Sequence, residues 1–228
     1  MIIQILGELK EEGYLPKGRH PTVAPFFAGA NVAMRRRALE DIGGYDPACV
    51  TGEDCDICAR LSAADWELYM RRDAVVFHKN PATVKRLLKQ WYGYGRYHPY
   101  VFAKHNEPAV EIYTRLRRPV SGERYRCLFY RRSSWAVVLF LTNFFILHLA
   151  LLGMVLAWLL GGPLLGLMGL GVTAILALSY AWPDLKHWGL RLGAAFAGLR
   201  YLADLALFTG ALIGGLGQKM LYFSAPVD

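Results

Sequence analysis

The chain has 228 residues, 54% of them hydrophobic, yet it carries a formal charge of +8. That balance argues against one ordinary soluble domain and for a basic, partly soluble chain joined to a membrane part. Four cysteines in this length, behind a quickly acidic opening (MIIQILGELKEEGY) that does not read as a secretory leader, do not make a disulfide scaffold.

The first hundred residues carry a short α/β pattern. PFFAGANVAMR, residues 25–35, predicts a strand with close backbone packing at Gly29. RRALEDIGGYD, residues 36–46, predicts a short helix stopped by Gly43 and Gly44. EDCDICARLSAAD predicts the next helix, and WELYMR and AVVFH predict strands. Asn80 then caps a helix with Pro81 in its first turn. Val84, Leu87, Leu88, Trp91 and Tyr92 share one apolar face of it, with Lys85, Arg86 and Lys89 off that face. Such a face suits either the lipid interface or packing against the strands.

RLRRPVSGERYRCLFYRR, residues 115–132, holds seven arginines against one glutamate. Beyond it, residues 133–183 contain no Asp, Glu, Lys or Arg. A spanning helix needs about 20 apolar residues, so this stretch accommodates two. The Gly161-Gly162-Pro163 turn divides them, placing spans near residues 135–160 and 164–182. Residues 193–217 form a third candidate span or an interfacial helix. Arg200 and Asp204, four apart there, can pair on one face and lower the cost of burial in lipid. By the positive-inside rule the arginine-rich flank, and everything before it, is cytoplasmic. Beside a span, those arginines meet anionic headgroups rather than nucleic acid.

One stretch concentrates chemistry: TGEDCDICARL, residues 51–61. Cys55 and Cys58 spell CxxC, and Asp54 and Asp56 spell DxD. Thr51 with Asp54 spells a capping box, with Asp54 at the third helical position. Acid–base site, metal site and capped helix start all fit these spacings. No second Cys/His pair near Cys49, Cys55 and Cys58 completes a tetrahedral zinc site, so they read as core residues.

The ordered set from Gly29-x-Asn31 through the Arg-Arg pair, Gly43-Gly44-Tyr45-Asp46, Gly52-Glu53-Asp54-x-Asp56, a later Arg-Leu, a strand-end His78 and a Gln90-bearing helix resembles the acceptor-side half of membrane-bound family 2 glycosyltransferases. The resemblance covers roughly residues 26–96. It implies an α/β fold, a partial GT-A (Rossmann-like) domain, followed by an α-helical transmembrane region. The expected division is 1–106 for the C-terminal half of the catalytic domain with its interfacial helix, 107–133 for a basic juxtamembrane linker, and 134–228 for the membrane part. The resemblance casts Asp54 as general base, with Glu53 supporting it. Gly29, Asn31, Gln90, Trp91 and Arg96 become acceptor- or donor-side positions, and His78 a residue near the metal. Polymer-making members carry Gln-x-x-Arg-Trp where this chain has QWYGYGR, a departure that argues against processive synthesis.

The family's metal-binding DxD ends a strand in the donor half, whereas this DxD opens a helix. A divalent cation (Mg or Mn) is therefore expected, with its DxD site not in this chain. The resemblance further implies a nucleotide-sugar donor, a lipid or glycan acceptor, inversion at the sugar carbon, and a place in the cell membrane as a multi-pass protein. It also leads to the expectation that the donor-binding half is missing here, through a truncated gene, a split gene or a separate donor-binding subunit, and that the chain alone lacks transferase activity. The alternative is a non-catalytic membrane anchor or assembly subunit that keeps a partial glycosyltransferase fold.

Overall fold

In the computed structural model, the described residues are 13–14, 27, 29–71, 73–77, 79, 81–120 and 123–223. The soluble part is built on two helices, α1 (Arg36–Asp41) and α2 (Glu53–Ala63). Both helices form where the sequence places them, and α1 stops at the Gly43-Gly44 pair. Ala38, Ile57, Cys58 and Leu61 make their common core, with Phe27, Met34, Leu39, Ile42, Trp66 and Leu68 packed around it. Fully burying an Ile or Leu side chain there contributes about 1.5–3 kcal/mol each.

Among the described residues, the expected strands are largely absent. Where a strand was expected, Gly29–Asn31 form a 3-10 turn and residues 32–35 are irregular. WELYMR contributes only β2 (Tyr69–Met70), paired antiparallel with β1 (Gly13–Tyr14). Residues 74–77 are irregular. Among the described residues the β1–β2 ribbon has two strands. Short apolar runs such as AVVF do not specify a strand without a partner.

The next helix, α3 (Val84–His105), is longer than expected and runs through Pro99. Its cap is Thr83, whose hydroxyl accepts from Arg86 N at 3.3 Å. The expected cap, Asn80, lies outside the described residues. Leu87, Trp91, Gly95, Pro99 and Phe102 form the buried stripe. That stripe rests neither on the small ribbon nor on open lipid. Leu87 and Trp91 pack on Ala203 and Leu207 of the last apolar helix.

Residues 107–133, expected as a linker, carry a β-hairpin of β3 (Ala109–Val120) and β4 (Glu123–Arg132). The first apolar residues after it form β5 (Ala136–Leu141), so the apolar helix starts at Asn143 rather than at 135. Thr142 caps it, accepting from Phe145 N at 3.4 Å. The sheet order is β4-β3-β5-β6, with β6 (Met220–Phe223) after the last helix. β3 and β4 are antiparallel, whereas β5 runs parallel to both β3 and β6. Tyr113, Val138, Phe140, Met220 and Tyr222 bury one face of the sheet against Phe102 and Ala211.

The apolar stretch α4 (Asn143–Leu216) is long and apolar enough to cross a membrane. Its backbone leaves helical geometry at Gly162 (φ 79°) and Gly189 (φ 75°), a left-handed region that side chains rarely adopt. Three helical segments result: 143–161, 163–188 and 190–216. A methyl group added at Gly166 would sit 2.5 Å from Trp158, and one at Gly193 would sit 2.6 Å from Leu185. The chain therefore folds back on itself at both glycines. Arg200 reaches across the second fold-back to Asp184 (2.9 Å), and Tyr180 donates to Asp204 at 2.5 Å. These bonds of Arg200 and Asp204 thus run to the neighbouring segment, where the sequence suggested a pair along one helix. Leu159, Leu160, Leu164, Leu167, Met168 and Ile175 stay exposed, as lipid-facing side chains do.

Candidate active site at the start of the second helix

The fold decides what Thr51 does. The residue that caps α2 is Gly52, at φ 82° and ψ 16°, with no side-chain cap bond. Thr51 lies outside the helix and Asp54 is at its second position, so the capping box expected from the sequence does not form. The left-handed Gly52 turns the chain one residue later than an extended Thr cap would. Asp54 therefore closes no capping box with Thr51. Its Oδ2 accepts from Gly29 N at 3.3 Å and its Oδ1 from Cys55 N at 2.8 Å. The partial positive charge of a helix N-terminus suits a carboxylate held there.

The surroundings of Asp54 come from three elements. Gly29 belongs to the 3-10 turn, and a methyl added to it would lie 3.9 Å from both Asp54 Cβ and Glu53 Oε1. Glu53 thus stands beside Asp54 at the same helix end. On the α3 side, Val101 approaches Gly52, 3.2 Å from where a methyl would project. His98 lies one turn earlier on α3, within electrostatic reach of Asp54. Packing around His98 removes water and lowers its pKa to about 4, against the opposing pull of the Asp54 charge. It is therefore a neutral imidazole at neutral pH. His98 lies past Tyr92, the last residue of the apolar face that the sequence displays on this helix. The buried positions continue at Pro99 and Phe102, a periodicity that would have carried the helix past it.

The other expected residues are dispersed. Asn31 Nδ2 donates to Ala74 O at 2.7 Å and ties the 3-10 turn to the next loop. Gln90 donates to Tyr94 OH at 2.5 Å. Trp91 is only 7% exposed and stands edge-on to Tyr94, covered by Ala203 and Leu207. Arg96 is exposed, while its backbone abuts Gly210 and Gly214. His78, assigned to the metal, lies outside the described residues.

Asp56 is buried and structural. Arg60 Nη2 reaches it at 2.6 Å, Lys104 Nζ at 2.8 Å and His105 Nε2 at 2.9 Å. Burial raises its pKa, but the hydrogen bonds from Arg60, Lys104 and His105 outweigh this and hold it below the ordinary range. Lys104 also bonds Asp46 at 2.6 Å, chiefly lowering that carboxyl to about 2. Cys58 sits in the α1–α2 core and accepts from Phe27 N at 3.5 Å. Burial pushes Cys49 and Cys58 up to about 11, so both are thiols at neutral pH. Among the described residues no group of three or more His, Cys, Asp or Glu is placed to hold a metal ion. The side chains around Asp54 therefore do not by themselves fit the divalent cation that the family resemblance implies.

The family model described as glycosyl transferase family group 2 matches residues 18–184, well over half of the chain. A stretch of 77 residues is 31% identical to the succinoglycan biosynthesis protein ExoA of Rhizobium meliloti (strain 1021), covering 34% of this chain. The match spans only 23% of that relative's length. No solved structure matches. With its ordered motifs, its α/β soluble part and a family match across most of its length, the chain belongs to glycosyl transferase family group 2.

Proposed function

We propose that this chain supplies the general base and the acceptor side of a sugar-transfer site at the cytoplasmic face of the cell membrane. The observation that carries the reading is the state of Asp54. Its carboxylate stands at the N-terminus of α2, outside any capping box and held by Gly29 N and by the first-turn amide of Cys55. A carboxylate so placed can take the proton from an acceptor hydroxyl as that oxygen attacks C1 of the donor sugar. The new C–O bond forms as the bond to the nucleoside diphosphate breaks, and the diphosphate leaves with its electron pair. A single displacement of this kind inverts the sugar carbon.

Glu53, beside Asp54, keeps the local field negative and helps hold the acceptor hydroxyl. Gly29 and Asn31 shape the turn facing the base, and exposed Arg96 and half-buried Gln90 lie further along α3 as acceptor-side contacts. The acceptor is a lipid or glycan, delivered beside the apolar segments. The nucleotide-sugar donor, with any divalent cation that neutralises its diphosphate, is held by a donor-binding region or subunit that meets this face. Residues 143–216 cross the membrane more than once, turning at Gly162 on the far side and at Gly189 on the cytoplasmic side. The arginines of the hairpin and Lys186, His187 and Arg191 near the second turn support that orientation.

The test is transfer of labelled sugar from a panel of nucleotide sugars to membrane lipid and glycan, by the chain assembled with its donor-binding region. Asp54→Asn is expected to remove turnover and leave donor binding intact. Parent-like turnover would instead favour a membrane anchor that keeps the fold without the chemistry.

A further inference from the structure

We propose that Lys104 is a positioning residue for the Asp54 carboxylate, an inference that rests on Asp54 being the base. Lys104 stands near the end of α3 and bonds Asp46 and Asp56, not Asp54 itself. It joins three separate pieces of the soluble part. Its Nζ lies 2.6 Å from Asp46 in the turn after α1 and 2.8 Å from Asp56 in the first turn of α2. Tyr100, one turn earlier on α3, donates to the same Asp46 oxygen at 3.1 Å. Arg60 closes the frame from α2, bonding Asp56 and the carbonyls of Ile42 (2.9 Å) and Gly44 (2.7 Å).

Asp56 follows Asp54 by two residues, about 200° round the helix. The two carboxylates therefore project on different sides of α2. A rotation of α2 about its axis that released Asp56 from Lys104 would swing Asp54 by the same angle. Asp56 is fully buried and the Lys104 side chain is 28% exposed, so the bond is shielded from solvent on the Asp56 side. The charges also balance: Asp46 and Asp56 face Arg60 and Lys104, with His105 as a further donor to Asp56. Losing Lys104 leaves two carboxylates facing one guanidinium.

The far end of this frame is anchored in the apolar part. A side chain added at Gly95 would run into the Leu207 carbonyl, and one at Gly214 into the Arg96 carbonyl. α3 thus lies backbone to backbone against segment 190–216, as helices do in membranes when small residues line the contact. Lys104 transfers that fixed position to α2. A base displaced by about 1 Å can lose about a hundredfold in rate, so a residue that fixes α2 acts on turnover without touching substrate.

The experiment measures kcat and the acceptor and donor KM of Lys104→Met and Lys104→Arg, each in the parent and in the Asp54→Asn background, using the assembled enzyme. Lys104→Met is expected to lower kcat about tenfold to a hundredfold in the parent with both KM values unchanged. Lys104→Arg keeps a cation within reach of both carboxylates and is expected to retain most of the turnover. In the Asp54→Asn background neither change is expected to lower kcat further, because the group being positioned is gone. An equal loss in both backgrounds, or parent-like kcat for Lys104→Met, overturns the inference while leaving the base assignment intact. Parent-like turnover of Asp54→Asn itself overturns the base assignment instead. If Lys104→Met does not accumulate as folded protein, Asp46→Asn frees the lysine from the turn while leaving Asp56 its cations. The same fall in the parent, and no fall in Asp54→Asn, are then required of it.

Discussion

Gly52 shows how a single backbone position sets the chemistry around it. At φ 82° it occupies the left-handed region, and Val101 closes the space where a side chain would begin. Gly52→Ala carries an L-residue penalty of about 1–2 kcal/mol before the contact with Val101 is added. Chemical unfolding should register a loss of at least that size, and a variant as stable as the parent would mean that the turn relaxes. Thr51→Ala is the informative neighbour. A true cap would cost about 0.5–2 kcal/mol, whereas this fold predicts no measurable change, since Gly52 occupies the cap position. The sequence offered Thr51 and Asp54 as a capping box because the spacing is right. It could not display the positive φ that moves the helix start by one residue. Asp56 was legible only as structural. Its three donors come from Arg60 on its own helix and from Lys104 and His105 about fifty residues on, and no local pattern connects them.

Among the elements, α1 and α2 were readable because their apolar positions recur at helical spacing and clear Gly stops follow α1. The β3–β4 hairpin and β5 were not. AVVLFL is a continuous apolar run that a strand and a helix share, and its position before a longer apolar stretch made it read as helix. Its burial alternates residue by residue, which shows a strand lying on a core. In the hairpin the many arginines outweighed the β-forming Val110, Ile112, Tyr113 and Phe129 in the reading of the sequence. The helical seam between α3 and segment 190–216 was likewise hidden, since glycines in two distant segments become meaningful only when the backbones touch. It leads to a contrast. Gly95→Val should destabilise the protein by about 1–3 kcal/mol or more, because the branched side chain meets the Leu207 carbonyl. Gly93→Ala, two residues away with nothing within 4 Å, should instead stabilise α3 by about 0.5–1 kcal/mol. Thermal unfolding in detergent separates the two; equal effects would mean the seam opens easily.

At the scale of the whole molecule, the soluble helices, α3 and the apolar segments form one mechanical path. Asp54 is steadied by the Gly29 turn, α2 is framed by Lys104 and Arg60, and α3 is seated on segment 190–216. A base held this way keeps a fixed relation to the membrane, where a lipid-borne acceptor would arrive. The membrane orientation is open to a direct check. Leu160→Cys, exposed beside the Gly162 turn, should react with an impermeant maleimide on intact cells, while the native exposed Cys127 should react only after permeabilisation. The reverse pattern would place the soluble part outside. The most direct test of the account is the turnover of Asp54→Asn in the assembled, membrane-embedded enzyme. The amide keeps the size of the carboxylate and can still accept from Gly29 N, but it cannot take a proton from the acceptor. The account predicts an intact fold, undiminished donor binding and a fall in kcat of about 10²–10⁴-fold. Turnover near the parent rate would contradict it and leave Asp54 as a structural carboxylate at a helix end.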